Sequence, residues 1–354
     1  MISAKQNKVC IYPNISRKSM GSQNPYIDHL KQALDENGFE VDRSVARRAF
    51  ADFLRKGLFS DTVILNWIEN LPSRRFGILQ TIFLMVWLPL LKIFRVKIIW
   101  IKHNKVSHTK KWFGISRMIQ QTLERQADHI IVHATDAGIT DPAKTLLIPH
   151  PSNTLPEDIL PPNPTASPAI DLLIWGSILP YKGILEFLRY AKTDPLLQHL
   201  SIHIIGKCAP DYWRQLQQQA GSNITLVNKF VQEEELHHLF QQSRFILFTY
   251  NRQSVIASGV LADSLVACKR IIAPDCGAFR DMAQQQHFVS LFDDFAAISS
   301  LYRENYNNYN LSYTEVCEFV AQNSWYNMGS KIKKLLRAKT AIPLTNRIKI
   351  SETP

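Results

Sequence analysis

The chain has 354 residues, 45% of them hydrophobic, and carries 41 Lys and Arg against 30 Asp and Glu, a net charge of +11. That apolar share excludes a disordered chain, and the length sets a soft expectation of two domains. The five cysteines form no C-x-x-C pair and no histidines stand at zinc spacing, which excludes a zinc ribbon; with no secretory signal in "MISAKQNKVCIY", reduced thiols of a cytosolic protein are expected.

The first half alternates strand and helix patterns. "KVCIYP" (8–13) predicts a buried strand, and "NPYIDHLKQALDENG" (24–38) a helix with Tyr26, Leu30, Ala33 and Leu34 on one face and Gly38 as its stop. "FEVD" (39–42), "TVILNW" (62–67), "VKIIWI" (96–101), "HIIVH" (129–133) and "LLIPH" (146–150) predict further strands. Between Asn70 and Leu123 there is no Asp or Glu, whereas Arg74, Arg75, Lys92, Arg95, Lys97, Lys102, Lys105, Lys110, Lys111 and Arg117 all fall there. Such a localised positive field attracts an anionic surface, whether membrane headgroups, a diphosphate or nucleic acid.

Inside that block, "FGILQTIFLMVWLPLL" (76–91) has only Gln80 and Thr81 as polar interruptions. It falls short of the roughly 20 residues of a spanning helix, and Pro89 interrupts it. Two readings stand: a core helix covering the sheet, or an apolar helix flanked by cations lying in a membrane interface.

The proline-rich stretch 150–168 predicts an interdomain linker. Alternation then resumes with "AIDLLIWG" (169–176), "LSIHIIG" (200–206), "NITLVN" (223–228), "RFILFTY" (244–250) and "RIIAPD" (270–275), and a helical stretch covers 312–336 before a basic tail. Strands alternating with helices imply parallel sheets covered on both faces. The expected organisation is an N-terminal Rossmann-like domain (1–155), a linker (156–165), a second Rossmann-like domain (166–320) and a C-terminal helix and tail (321–354). Ligands of such sheets sit beyond the carboxyl ends of the strands, so two facing domains are expected to share a cleft.

Two stretches carry chemistry. In "WGSILPYKG", Gly176 turns the chain off a strand, Ser177 offers a hydroxyl, and Lys182 stands just before a helix, a combination suited to an anionic phosphate. In "SVIASGVLADSLVACKRIIAPDCG", Ser258 caps a helix opening with Gly259, where free amides and the helix dipole favour anions, and Asp263 is placed to accept from a ribose. Taken singly, each also reads as an ordinary strand-to-helix connection.

Together they resemble the nucleotide-sugar domain of GT-B glycosyltransferases, most like glycosyltransferase family 4 and the bacterial capsule and exopolysaccharide transferases. The family's "GR(L)xxxKG" stands here as Gly176, Ser177, Ile178, Lys182 and Gly183, "IHIIG" matches its next glycine-ended strand, and "DSLVACKRIIAPD" matches "EALACGxPVIAxD" from Asp263 to Asp275. The motifs stand in the family's order over about 110 residues. The chain departs from the pattern at Ser177, where the family has arginine, and at Val255, where the first of two acids is expected; Arg252, Ser254 and Ser258 are replacement contacts. In the N-terminal half, "IIWIKHNKVSH" (98–108) resembles the strand end followed by His-Asn in those polysaccharide transferases.

The resemblance implies two α/β Rossmann-like domains facing a cleft, and transfer of a sugar, of the hexosyltransferase class, from a nucleoside-diphosphate sugar to a glycan or polyprenyl-diphosphate-linked acceptor in bacterial surface polysaccharide synthesis. It assigns Lys182, Ser258 and Gly259 to the diphosphate and Asp263 to the ribose, with Gly176, Ser177, Tyr250, Arg252 and Ser254 also facing the donor. The backbone near Lys229 and Phe230 flanks the base, His103 works at the sugar, and Asn24, Tyr26 and His108 approach the acceptor. No D-x-D triplet occurs, so no metal and no cofactor are expected. The expected location is cytoplasmic and peripheral, on an anionic inner membrane face, with no nucleic acid as partner. A nucleotide-sugar epimerase of the same fold and a nucleotide-sugar-binding protein without turnover are the alternatives.

Overall fold

The computed structural model describes residues 7–14, 25–42, 49–103, 112–138, 141–162, 167–252 and 258–337. The chain divides into two compact units, Met1–Pro149 with Asn323–Pro354, and His150–Gln322.

The first unit holds β1 (Lys8–Tyr12), α1 (Tyr26–Glu36), β2 (Glu40–Val41), α2 (Ala49–Leu58), β3 (Thr62–Asn66), α3 (Gly77–Ile93), β4 (Lys97–Lys102), α4 (Phe113–Gln126), β5 (His129–Val132) and β6 (Thr145–Leu147). The strands form one parallel sheet in the order β2-β1-β3-β4-β5-β6. Every residue of β3 is buried, and so are Ile98 to Lys102 of β4. Strands covered on both faces need such continuous apolar runs, because neither side meets water.

The second unit holds β7 (Ile170–Trp175), α5 (Ile184–Ala191), β8 (Ile202–Ile205), α6 (Pro210–Gln219), β9 (Ile224–Val227), α7 (Glu233–Gln242), β10 (Ser243–Leu247), α8 (Gly259–Ser264), β11 (Ile271–Pro274), α9 (Gly277–Gln286), β12 (Val289–Phe292), α10 (Ala296–Glu304) and α11 (Tyr313–Gln322). Its parallel sheet runs β12-β11-β10-β7-β8-β9. The chain steps outward from β7 to β9, returns to the other side of β7, and steps outward again to β12. The order therefore reverses between β7 and β10. The strand β12, from "FVSLF", lies beyond the last strand expected from the sequence.

The described part of the proline-rich stretch, residues 150–162, packs in the second unit. Ile159 sits in the core of the second unit at 2% exposure, Leu160 N donates to Val266 O at 2.9 Å, and Ser152 Oγ donates to Ala262 O. The C-terminal helical stretch also breaks in two, because Ser324 Oγ accepts from Asn327 N at 3.3 Å and so caps a new helix, α12 (Trp325–Arg337). That helix belongs to the first unit. It packs on α1 through Gly329, where a Cβ would stand 2.5 Å from Ala33 O, and Lys97 Nζ donates to Leu336 O at 2.8 Å. Among the described residues no helix is long and apolar enough to cross a membrane.

Candidate functional site

The reversal of strand order between β7 and β10 is a switch point, the position where open α/β sheets bind ligands. The loop after β7 and the chain leaving β10 are locked together there. Gly183, at φ +67°, lies so close to Thr249 that a Cβ would stand 2.2 Å from its carbonyl oxygen. Thr249 Oγ1 donates to Lys182 O at 2.6 Å, and Asn251 N donates to Tyr181 O at 3.0 Å. Gly176, at φ +89°, and Gly206, which ends β8, touch through their backbones: a Cβ on Gly206 would be 1.9 Å from Gly176 O. Only glycine allows both the left-handed turn and that approach.

This frame fixes Lys182. Its side chain is 3% exposed, and its Nζ has no hydrogen-bond partner among the described residues. The Nζ lies 5.3 Å from the centre of the Tyr250 ring and 3.4 Å from where a Cβ of Gly176 would be. Burial lowers its pKa from the usual lysine value to about 8. A buried ammonium that has a ring face beside it and no hydrogen-bond partner among the described residues is a cation suited to an anion.

The neighbouring groups converge on the same place. Tyr250 OH and Ser258 Oγ are 3.2 Å apart, and Ser258 caps α8 by accepting from Leu261 N at 3.4 Å. The His150 ring lies against Gly259, with Cε1 3.4 Å from the position of a Cβ there. His150 Nδ1 donates to Pro151 O at 2.9 Å, since a carbonyl only accepts, and burial pushes the ring's pKa down to about 4. It therefore stands as a neutral ring beside the first turn of α8.

Other sequence-predicted residues lie apart from this knot. Asp263 is engaged by Asn153, whose backbone N and Nδ2 both donate to it at 3.1 Å, while burial raises its pKa to about 6. Arg252 pairs with Asp293 at 3.0 Å and donates to Asp275 O, and Lys229 pairs with Glu235 at 2.7 Å. Ser177 and Phe230 are exposed. Asn24, His108, Ser254 and Val255 lie outside the described residues. Among the described residues no group of three or more His, Cys, Asp or Glu is placed to hold a metal ion.

The first unit gathers a second cluster at the carboxyl ends of β1, β3, β4 and β5. His103 follows β4 directly and stacks on Trp67, ring centres 4.1 Å apart. Asn66 Nδ2 donates to Tyr12 O at 3.1 Å, so its Oδ1 is the atom that faces His103 Nε2 at 3.0 Å. Nε2 is therefore the donor in this contact, and in the neutral form of the ring the lone pair belongs to Nδ1. Trp67 adopts φ 49°, a left-handed conformation that costs a non-glycine residue about 1 kcal/mol and holds the indole over the imidazole.

Tyr26, expected to approach the acceptor, lies within this cluster. It is 2% exposed, enclosed by Trp67, His103, His133 and Trp325, and so packs in the core of the first unit. Its hydroxyl meets His133 Nε2 at 3.0 Å, and His133 Nδ1 donates to Ile148 O at 2.7 Å. Asn66, Trp67, His133 and Asn153 were missed from the sequence. The one available signal was a polar residue closing an apolar run, as in "VILN" and "IIVH".

No family model matches the chain, and no curated protein matches it in sequence. Solved structures do. HepE of Anabaena in complex with UDP and glucose aligns with a TM-score of 0.64 at 12% identity, over 94% of this chain and 99% of its own. A glycosyltransferase from Rickettsia africae aligns at 0.57 and 11% identity, over 95% and 100%. AviGT4, a glycosyltransferase involved in avilamycin A biosynthesis, aligns at 0.55 and 14%, over 94% and 97%. With its two parallel six-stranded sheets and flanking helices, the chain has the GT-B fold.

Proposed function

We propose that the chain is a glycosyltransferase that takes a sugar from a nucleoside-diphosphate sugar and passes it to a glycan acceptor. The observation that carries this reading is the buried Nζ of Lys182 at the switch point of the second sheet, which has no hydrogen-bond partner among the described residues. Departure of a nucleoside diphosphate needs its growing negative charge neutralised in a dry place, and an ammonium already stripped of water does this with little reorganisation. Gly176 leaves room beside that ammonium, and the first-turn amides of α8 after Ser258 add dipoles of the same sign. This reading gives the neutralising role to protein groups rather than to a metal ion.

Asp263 is the ribose residue in this reading. Asn153 occupies only part of the carboxylate's accepting capacity, so sugar hydroxyls have lone pairs to reach. The first unit takes the acceptor. His103 is the candidate base: with Nε2 held on Asn66 Oδ1, Nδ1 receives the proton of the attacking hydroxyl. The finer reading is a lipid-diphosphate-linked acceptor, met by a peripheral enzyme at an anionic membrane face during surface polysaccharide synthesis. The acid-free cationic block between Asn70 and Leu123 supports it.

A thermal-shift panel of nucleoside diphosphates and nucleotide sugars tests the reading. HepE was solved with UDP, so UDP and UDP-glucose lead the panel. A ligand at a hundred times its Kd stabilises the folded state by about 2.7 kcal/mol, a readily visible rise in Tm. No shift with any member of the panel would remove the donor assignment. Sugar isomerisation in the absence of acceptor would replace transfer by epimerisation.

A further inference from the structure

The helix α3 is apolar on two faces, and only one of them is used by the fold. Leu84, Trp87, Leu88 and Leu91 are buried against the first unit, and Trp87 Nε1 donates to Leu54 O at 2.9 Å. The opposite face carries Leu79, Ile82, Phe83, Val86, Leu90 and Ile93, exposed by 36% to 73%. At about 100° per residue these six fall within an arc of about 100°, a continuous ridge of roughly 25 Å along the 17-residue helix. Phe76 and Phe94 extend it at either end, exposed by 66% and 61%. A soluble surface rarely leaves so long an apolar stripe in water.

The rim of the ridge is cationic at both ends. Arg74 and Arg75 precede the helix and are exposed, Arg75 lying over the Phe76 ring at 5.1 Å. Lys92 and Arg95 follow it and are exposed, with Lys92 shared with Asp128. No acid stands anywhere between Asn70 and Leu123. That pattern selects the occupant. A second copy of this chain, docked ridge to ridge, brings cationic ends against cationic ends. A protein groove would have to be lined with acids at both ends of an apolar channel. An anionic lipid leaflet offers hydrocarbon beneath a plane of negative headgroups, with a match for the ridge and for both ends at once.

We propose that the exposed ridge of α3 lies in the plane of an anionic lipid leaflet, with Ile82, Phe83, Val86 and Ile93 in the acyl boundary and Arg74, Arg75, Lys92 and Arg95 among the headgroups. The helix does not cross: it has 17 residues, Pro89 lies within it, and its other face belongs to the protein core. This deepens the lipid-linked acceptor reading by naming the surface that meets the lipid. It rests on the ridge and its charges, not on the donor site.

Flotation of the whole chain with vesicles tests it, using phosphatidylcholine alone and phosphatidylcholine mixed with phosphatidylglycerol, with no sugar nucleotide present. Binding to the mixed vesicles is expected to be at least about tenfold tighter than to the neutral ones and to weaken with salt. Val86→Asp with Ile93→Asp should abolish it, and Arg75→Glu with Arg95→Glu should reduce it to the neutral level. These positions are exposed, so both variants should melt as the parent does. Phe83→Trp should show a blue-shifted emission only with the mixed vesicles. Lys182→Met should float normally, which separates a failure of the donor assignment from a failure of this one. Absence of flotation, or flotation untouched by the aspartates, overturns the proposal. So does a dimer by light scattering that the aspartates dissociate, which would make the ridge a self-association face.

Discussion

Lys182 Nζ stands 5.3 Å over the Tyr250 ring, and Tyr250 OH stands 3.2 Å from the Ser258 oxygen that caps α8. Three residues from two loops and a helix start are thereby chained together at the point where the second sheet reverses its order. The knot holds a buried cation with no hydrogen-bond partner among the described residues, an aromatic ring and a helix N-terminus.

Replacing the ammonium separates binding from folding. Lys182→Met keeps the buried stem and removes the charge, so it should leave Tm equal or higher, because a buried cation without a hydrogen-bond partner opposes folding. Turnover should fall at least about tenfold, about 1.4 kcal/mol of transition-state stabilisation. Unchanged turnover would take Lys182 out of the site.

The same group predicts a pH dependence. Burial lowers its pKa to about 8 in the folded chain, below the ordinary lysine value it has when unfolded. Between those two values the unfolded chain binds the extra proton, so stability rises with pH across about 8 to 10.5. The gain is on the order of 3 kcal/mol for the free protein and is absent from Lys182→Met. Diphosphate affinity should move the opposite way and weaken above about pH 8 as the ammonium is lost. Urea melts and calorimetry at several pH values check both signs.

Two glycines should fail differently. Gly176→Ala places a methyl 3.4 Å from Lys182 Nζ and 3.2 Å from Val260 at a φ of +89°, so it should cost about 1–2 kcal/mol and weaken nucleotide binding. Gly206→Ala drives a methyl to 1.9 Å from the Gly176 carbonyl oxygen, and something in the backbone must move. We expect a loss of more than about 4 kcal/mol or no folded protein, read by thermal melting.

Asn153 is expected to tune Asp263. Its two donors are what limit the upward push of burial on that carboxyl, whose pKa is about 6. Asn153→Ala should raise it further, and cost about 1–3 kcal/mol at neutral pH, where the charged form is then less well satisfied. The raised folded pKa means that this carboxylate weakens stability as pH climbs from about 4 to 6, a slope that Asp263→Asn removes.

In the first unit, His103→Ala should lower turnover by about 10²- to 10⁴-fold if the ring takes the acceptor's proton. Asn66→Ala removes the group that fixes the tautomer, so turnover should fall while acceptor KM holds, with the limb of the pH–rate profile displaced. Tyr26→Phe should leave acceptor KM unchanged and cost about 1 kcal/mol or more through the lost bond to His133.

What the sequence by itself determined is what local pattern can encode. Apolar runs such as Thr62–Asn66 and Ile170–Trp175, spaced by helical stretches, can pair only as covered parallel strands, and "WGSILPYKG" shows its glycines and lysine without any knowledge of neighbours. Tertiary structure alone decided the rest, because the deciding contacts join distant residues. Asn66 meets His103 from 37 positions away, Asn153 reaches Asp263 across 110, and Tyr26 is sealed in by Trp325 at the far end of the chain. The same holds for α3: its residues are apolar all round, and periodicity does not say which face the core takes. Packing against α2 and the sheet claimed Trp87 and Leu91 and left Val86 and Ile93 in water.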